Sequence, residues 1–220
     1  LRIRCYNKVL HNRTQENYML LDADDSQLVL IDYQEKLMPA IFEGQQVLAN
    51  AVKLAKIAKM MQVPVWATEQ NPSKLGPNAA ELRALSDRTL AKMSFSAVED
   101  GLIDLLRPPV KKQQGGNARS LPKHLQKPAA PQEPERPSIV IAGCEAHVCL
   151  MQTALQLLEE EMEVWVVTDA CSSRTERNRD AAFDRLAGAG AELVTTEMVA
   201  FEWLRSCEHP AFKQMLELVK

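Results

Sequence analysis

Cys149 closes the run Gly143-Cys-Glu-Ala-His-Val-Cys149, which follows the apolar stretch Ser138 to Ala142. The apolar stretch reads as a buried strand, and Cys149 opens a segment of helical spacing. Unpaired amides and the helix dipole at such a place favour an anion, so the reactive thiolate is expected there. Two further residues share this position type. Asp32 ends the strand-like run Gln27 to Ile31, and Lys92 lies in a short strand near Thr89 to Ser94. A cysteine nucleophile needs a base to take its proton and a cation to hold the charge, which a carboxylate and an ammonium supply. Each residue also has a plainer reading: a turn-forming aspartate, a solvated lysine and a core cysteine. No histidine suits the base role as well. His147 would point elsewhere on a helix, and His11, His124 and His209 lie in weakly patterned segments.

The elements that would bring these residues together alternate along the chain. Strands are expected at Gln27 to Ile31, Val63 to Thr68, Thr89 to Ser94, Ser138 to Ala142, Glu163 to Thr168 and Ala191 to Thr195. Helical spacing runs through Val47, Ala51, Leu54, Ala58 and Met61, and again through Val148, Met151, Leu155, Leu158 and Met162. Shorter helices are expected near Asn78 to Leu85, Ala97 to Leu106, Arg177 to Ala187, Met198 to Ser206 and Pro210 to Val219. This β-α rhythm predicts an α/β fold, a three-layer αβα sandwich on a doubly wound, mostly parallel, six-stranded sheet of Rossmann-like type. In such a sheet the carboxyl ends of the strands share one edge, where Asp32, Lys92 and Cys149 can meet.

Two segments stand outside the rhythm. Residues 1–18 are basic and lack apolar periodicity, and are expected to be a non-native or disordered extension; a targeting peptide is the other reading. Residues 19–220 then form a single domain. Residues 107–137, rich in proline, glutamine and basic side chains, read as a flexible insertion on the face opposite the carboxyl strand ends.

The chain has 220 residues, 46% of them hydrophobic and 25% charged, with a formal net charge of −3. Those values suit a soluble protein without global attraction to nucleic acid or an anionic membrane. The 5 cysteines show no paired metal-binding spacing, which fits free thiols and a cytoplasmic location. Cys171 and Cys207 read as packing residues. Asp169, Ser172 and Ser173 read as a cap for the following helix.

Three blocks, Leu30-Ile-Asp32-Tyr-Gln34-Glu-Lys, Lys92-Met-Ser-Phe95-Ser-Ala and Gly143-Cys-Glu145-Ala-His-Val-Cys149-Leu-Met-Gln-Thr153-Ala, resemble the signatures of the isochorismatase-like cysteine hydrolases. Thr68 to Gly76 and Thr168 to Arg174 are most similar to the branch called isochorismatase domain-containing proteins. The resemblance implies a hydrolase with Cys149 as nucleophile, Asp32 as base and Lys92 as charge stabiliser. It further implies a cis Cys144–Glu145 peptide, oxyanion donors at the amides of Glu145 and Cys149, and substrate contacts from Gln34 and Phe95. Family members that bind a metal use histidines between the first two blocks; this chain has none there, so neither metal nor other cofactor is expected. The intact Asp-Lys-Cys set then points to an amidase-type cleavage of a small amide or related C–N bond. A small-molecule substrate, no nucleic-acid or membrane partner, and a homo-oligomer complete the expectation. The alternative is a catalytically idle, partner-binding scaffold.

Overall fold

The computed structural model describes residues 20–108 and 136–220. The amino-terminal extension and nearly all of the 107–137 insertion lie outside the described residues.

Six strands form one parallel sheet: β1 (Ser26–Ile31), β2 (Val65–Gln70), β3 (Arg88–Lys92), β4 (Ser138–Gly143), β5 (Glu163–Val167) and β6 (Glu192–Val194), in the order β3-β2-β1-β4-β5-β6. Every residue of β1 and β4 is buried, as the apolar runs Leu28–Ile31 and Ile139–Ala142 require of strands covered on both faces. The chain winds outward from β1 in one direction to β3 and in the other to β6. The gap between β1 and β4 is therefore the topological switch point, where open α/β sheets place ligands.

Helices α1 (Gly44–Met60), α2 (Pro72–Leu75), α3 (Ala80–Leu85), α4 (Leu102–Leu106), α5 (Met151–Glu159), α6 (Glu176–Gly188), α7 (Thr196–Leu204) and α8 (Phe212–Val219) connect and cover the strands. Helix α1 packs with α3, α7 and α8, while α5 packs with α6, giving a layer on each side of the sheet. The six strands and the main helices fall where the alternation puts them, with ends shifted by a residue or a few. Ala97 to Leu106 is helical only over α4, because the preceding residues turn to hold the loop after β3.

The helix behind β4 departs from expectation in phase. Ala146–Leu150 forms a single π turn before α5 begins. A π turn inserts an extra residue and rotates the remainder of the helix about its axis. The most deeply buried face is consequently Leu150, Thr153, Ala154 and Leu157; of the expected stripe, Val148, Met151, Leu155 and Leu158 are only half-buried and Met162, beyond the end of α5, is buried.

At the amino ends of the strands, one side chain gathers both feet of the insertion. Gln27 Nε2 donates to the carbonyl of Leu106 at 3.0 Å and to that of Arg136 at 2.9 Å. Its Oε1 accepts from Trp66 Nε1 at 2.9 Å. Arg136 in turn donates to the carbonyls of Ala23 and Ser26. Both feet thus attach to the sheet edge opposite Asp32 and Lys92.

Candidate active site

Asp32 follows β1 with φ 54°, in the left-handed region that aspartate tolerates better than most residues. This bend turns its carboxylate across the strand ends, where it is completely buried. Thr68, the residue of β2 in register with Ile31, donates its hydroxyl to Asp32 Oδ1 at 2.7 Å. Oδ2 lies 2.8 Å from Lys92 Nζ, with both side chains fully excluded from solvent. The contact is an ion pair in which Oδ2 accepts no hydrogen bond, so this oxygen keeps acceptor capacity for another proton.

Lys92 ends β3 in register with Gln70 at the end of β2. That register sets Gln70 Oε1 2.7 Å from Nζ. The carbonyls of Phe95 and Ser94 accept from the same ammonium at 3.0 and 3.3 Å. A buried ion pair is stable only when its remaining hydrogen-bonding capacity is met, and these neutral oxygens meet it.

Cys149 sits in the π turn, 5% exposed, close enough to the Asp32 carboxylate and the Lys92 ammonium for both charges to act on its thiol. The structure thus joins the three residues from separate strand ends. It does not give the thiolate expected from the helix end. Burial pushes the thiol up, the Asp32 charge and its hydrogen bond add to this, and Lys92 offsets it only in part, leaving the group at about 12. Desolvation outweighs the dipole of a short π turn, and burial favours the protonated thiol.

The approach of β4 to β1 is set by Gly143. A Cβ there would lie 2.5 Å from Ile31 Cβ and 2.7 Å from its carbonyl oxygen. The expected cis Cys144–Glu145 peptide is corrected: among the described residues no peptide bond is cis, and Glu145 takes φ 53° instead. The reversal after β4 is made by a left-handed residue, a conformation less costly than a cis bond outside proline. Glu145 holds this turn through Arg174 Nε at 2.7 Å and lies 3.4 Å from His147 Nδ1. His147 is turned toward Ser173 and Asn178, away from a base role on Cys149.

Gln34 is wholly buried and its amide is used by backbone: Nε2 donates to the carbonyls of Gln70 and Gly76 at 3.0 and 2.7 Å, and Oε1 accepts from the Gln70 amide at 2.8 Å. Phe95 presents a 55% exposed ring beside the lysine, and Met93 is likewise exposed. Thr153 couples Cys149 to this loop, donating to the Cys149 carbonyl at 2.7 Å and accepting from the Ala97 amide at 3.0 Å. The supporting roles of Thr68, Gln70 and Thr153 were not readable from spacing, since each depends on strand register or helix phase.

Three other expectations change. Asp169 accepts from the amide and hydroxyl of Thr196 at 2.8 and 3.0 Å at the start of α7, whose cap is Thr195, whereas the next helix, α6, is capped by Thr175. Ser172 donates to the Phe42 carbonyl and Ser173 serves His147. Cys171 is buried, but Cys207 is exposed in the turn between α7 and α8. A cavity of about 460 Å³ between Leu20 and α7 is lined by Met198, Phe201 and Arg205 and contains none of the candidate catalytic residues.

This sheet and switch-point site are those of a hydrolase-type α/β fold, and residues 26–198 match the isochorismatase domain model. The chain belongs to the isochorismatase family. It is 34% identical to isochorismatase domain-containing protein 2A of Mus musculus over 197 residues, covering 90% of this chain and 84% of that protein. It is also 34% identical to isochorismatase domain-containing protein 2 of Danio rerio, covering 90% of this chain and 89% of that protein. Among solved structures, the MAR1 ribonuclease of Caenorhabditis elegans superposes with TM-score 0.76 at 27% identity, covering 91% of this chain and 92% of that one. The ycaC gene product of Escherichia coli, described as an octameric hydrolase of unknown specificity, superposes with TM-score 0.71 at 25% identity, covering 92% and 97%. Among the described residues no helix is long and apolar enough to cross a membrane.

Proposed function

We propose that the protein is a cysteine hydrolase that cleaves a small amide or related C–N bond, without a metal or other cofactor. The observation that carries this reading is the single buried cluster in which the Cys149 thiol reaches both Asp32 and Lys92. As the sulfur attacks the substrate carbonyl, its proton passes to Asp32 and the carbonyl electron pair moves to oxygen. The backbone amides of Glu145 and Cys149 are the proposed oxyanion donors, each worth about 3 kcal/mol when preorganised. The intermediate collapses to a thioester, and the departing amine takes the proton from Asp32. Water, deprotonated by Asp32, then attacks the thioester and frees the acid and the thiol. Lys92 offsets the negative charge while Asp32 is protonated. Phe95, exposed at the rim, is the proposed substrate contact; Gln34 orders the loop behind it.

The test is ammonia release from a panel of primary amides and carbamoyl compounds by wild type and Cys149→Ala. Turnover confined to wild type supports the reading, and equal rates in the two proteins reject it. An oligoribonucleotide, read by chain length rather than ammonia, is tested beside the panel because the Caenorhabditis elegans neighbour is named a ribonuclease.

One observation favours a second reading, that of an idle family member acting as a partner-binding scaffold: Cys149 is 5% exposed and its thiol is pushed up to about 12. Deletion of residues 109–135 separates the two, since loss of assembly with a folded core and no turnover by either form marks a scaffold. By analogy with the octameric Escherichia coli protein, a homo-oligomer is proposed, to be checked by light scattering.

A further inference from the structure

The Lys92 ammonium has three protons, matched by three neutral oxygens, and an ion pair with Asp32 beside them. Asp32 Oδ2 lies at 2.8 Å, Gln70 Oε1 at 2.7 Å, and the Phe95 and Ser94 carbonyls at 3.0 and 3.3 Å. The Cys149 sulfur is close enough for the Lys92 charge to act on it. Of the oxygens, only Asp32 carries charge, and only Gln70 is a neutral side chain. Two backbone attachments hold Gln70 itself: its amide donates to Gln34 Oε1 and its carbonyl accepts from Gln34 Nε2. Its own Nε2 donates to the Met93 carbonyl at 2.8 Å, which fixes Oε1 as the atom facing Lys92.

When the thiol proton moves to Asp32, the pair Asp32(−)/Lys92(+) becomes Lys92(+)/Cys149(−). The ammonium must then exchange its charged partner without moving away. We propose that Gln70 is a positioning residue that anchors Lys92 through this exchange, and that its neutrality keeps the whole lysine charge available to the sulfur. A carboxylate at the same place would satisfy the ammonium permanently and leave less attraction for a thiolate. The other charged group by the turn, Glu145, is already paired with Arg174. Cys144 is buried nearby and held protonated by its burial. This inference deepens the hydrolase reading and rests on Cys149 being the nucleophile.

The test uses Gln70→Glu and Gln70→Met in the full chain, with iodoacetamide alkylation of Cys149 followed by peptide mapping from about pH 7 to 10, where rate tracks thiolate fraction. Gln70→Glu is expected to slow alkylation roughly tenfold at each pH, equivalent to one unit of thiol pKa, while melting no lower than wild type. Gln70→Met, similar in size but lacking the acceptor, is expected to slow it about threefold. With a substrate in hand, both variants lower kcat about tenfold or more and leave KM within about twofold, the pattern of an interaction used in the transition state. Wild-type alkylation in both variants, with only melting temperature changed, would overturn the proposal and reduce Gln70 to a structural part. The hydrolase reading fails separately, through undiminished turnover by Cys149→Ala. That result would leave the alkylation comparison intact as a measure of what Gln70 does to the thiol.

Discussion

The Thr68 hydroxyl donates to Asp32 Oδ1 at 2.7 Å, leaving Oδ2 as the oxygen that faces Lys92. The two carboxylate oxygens therefore have different work: one is held by a neutral donor and the other meets charge. Thr68→Val keeps the shape of the side chain and removes the donor. It is expected to cost about 1–3 kcal/mol, the penalty for a buried acceptor left unmet, and to lower turnover more than substrate binding. Denaturant melts and the separate kcat and KM values check both parts.

The Asp32–Lys92 pair is buried on both sides, so removing one member strands the other. Lys92→Met alone is expected to destabilise by about 3–5 kcal/mol. The double variant Asp32→Asn/Lys92→Met has no uncompensated charge and is expected to recover a large part of that loss, although it remains inactive. Urea midpoints of the single and double variants test this, and equal losses would contradict it.

Alkaline pH should weaken the fold through its buried thiols. Cys149 is at about 12 in the folded protein against an ordinary 9.0. Below about pH 9 both folded and unfolded chains hold this proton, and the contribution is complete. Between about 9 and 12 the unfolded chain loses it first, so stability declines as pH rises. Cys144, Cys171 and Tyr33 are raised in the same direction by burial. Cys149→Ala is accordingly expected to show a shallower alkaline fall in melting temperature than wild type. At neutral pH the exposed Cys207 should be alkylated ahead of Cys149.

Gly143→Ala places a methyl group against Ile31, whose Cβ and carbonyl oxygen lie 2.5 and 2.7 Å from the new atom. Both contacts are on the neighbouring central strand, which cannot retreat without opening the sheet. A loss of about 1–3 kcal/mol, the range for overpacking a tight core, is expected in thermal melts. The change also disturbs Cys149, six positions on, and should reduce turnover beyond what the stability loss explains.

The sheet was legible because β1 and β4 hold the apolar runs Leu28–Ile31 and Ile139–Ala142 and the helices between strands keep their spacing. Asp32, Lys92 and Cys149 could be nominated because each ends or follows a strand, and parallel topology brings strand ends together. Spacing could not tell that the thiol is desolvated, since that depends on which atoms surround it. Nor could it reveal the π turn at Ala146–Leu150, whose extra residue rotates the following face inward. Gln34 illustrates the same gap: its place in a signature block suggested substrate, while its three backbone bonds tie it to the loop frame.

Gln27, which binds the carbonyls of Leu106 and Arg136 together, makes the length of chain between them nearly irrelevant to the rest of the molecule. Once the ends of a loop are fixed, doubling its length costs only about 0.6 kcal/mol of closure entropy. This edge is therefore a natural splice point. A reporter domain, an affinity handle or a shorter linker could be exchanged there while the edge that carries Asp32, Lys92 and Cys149, at the opposite ends of the same strands, keeps its geometry.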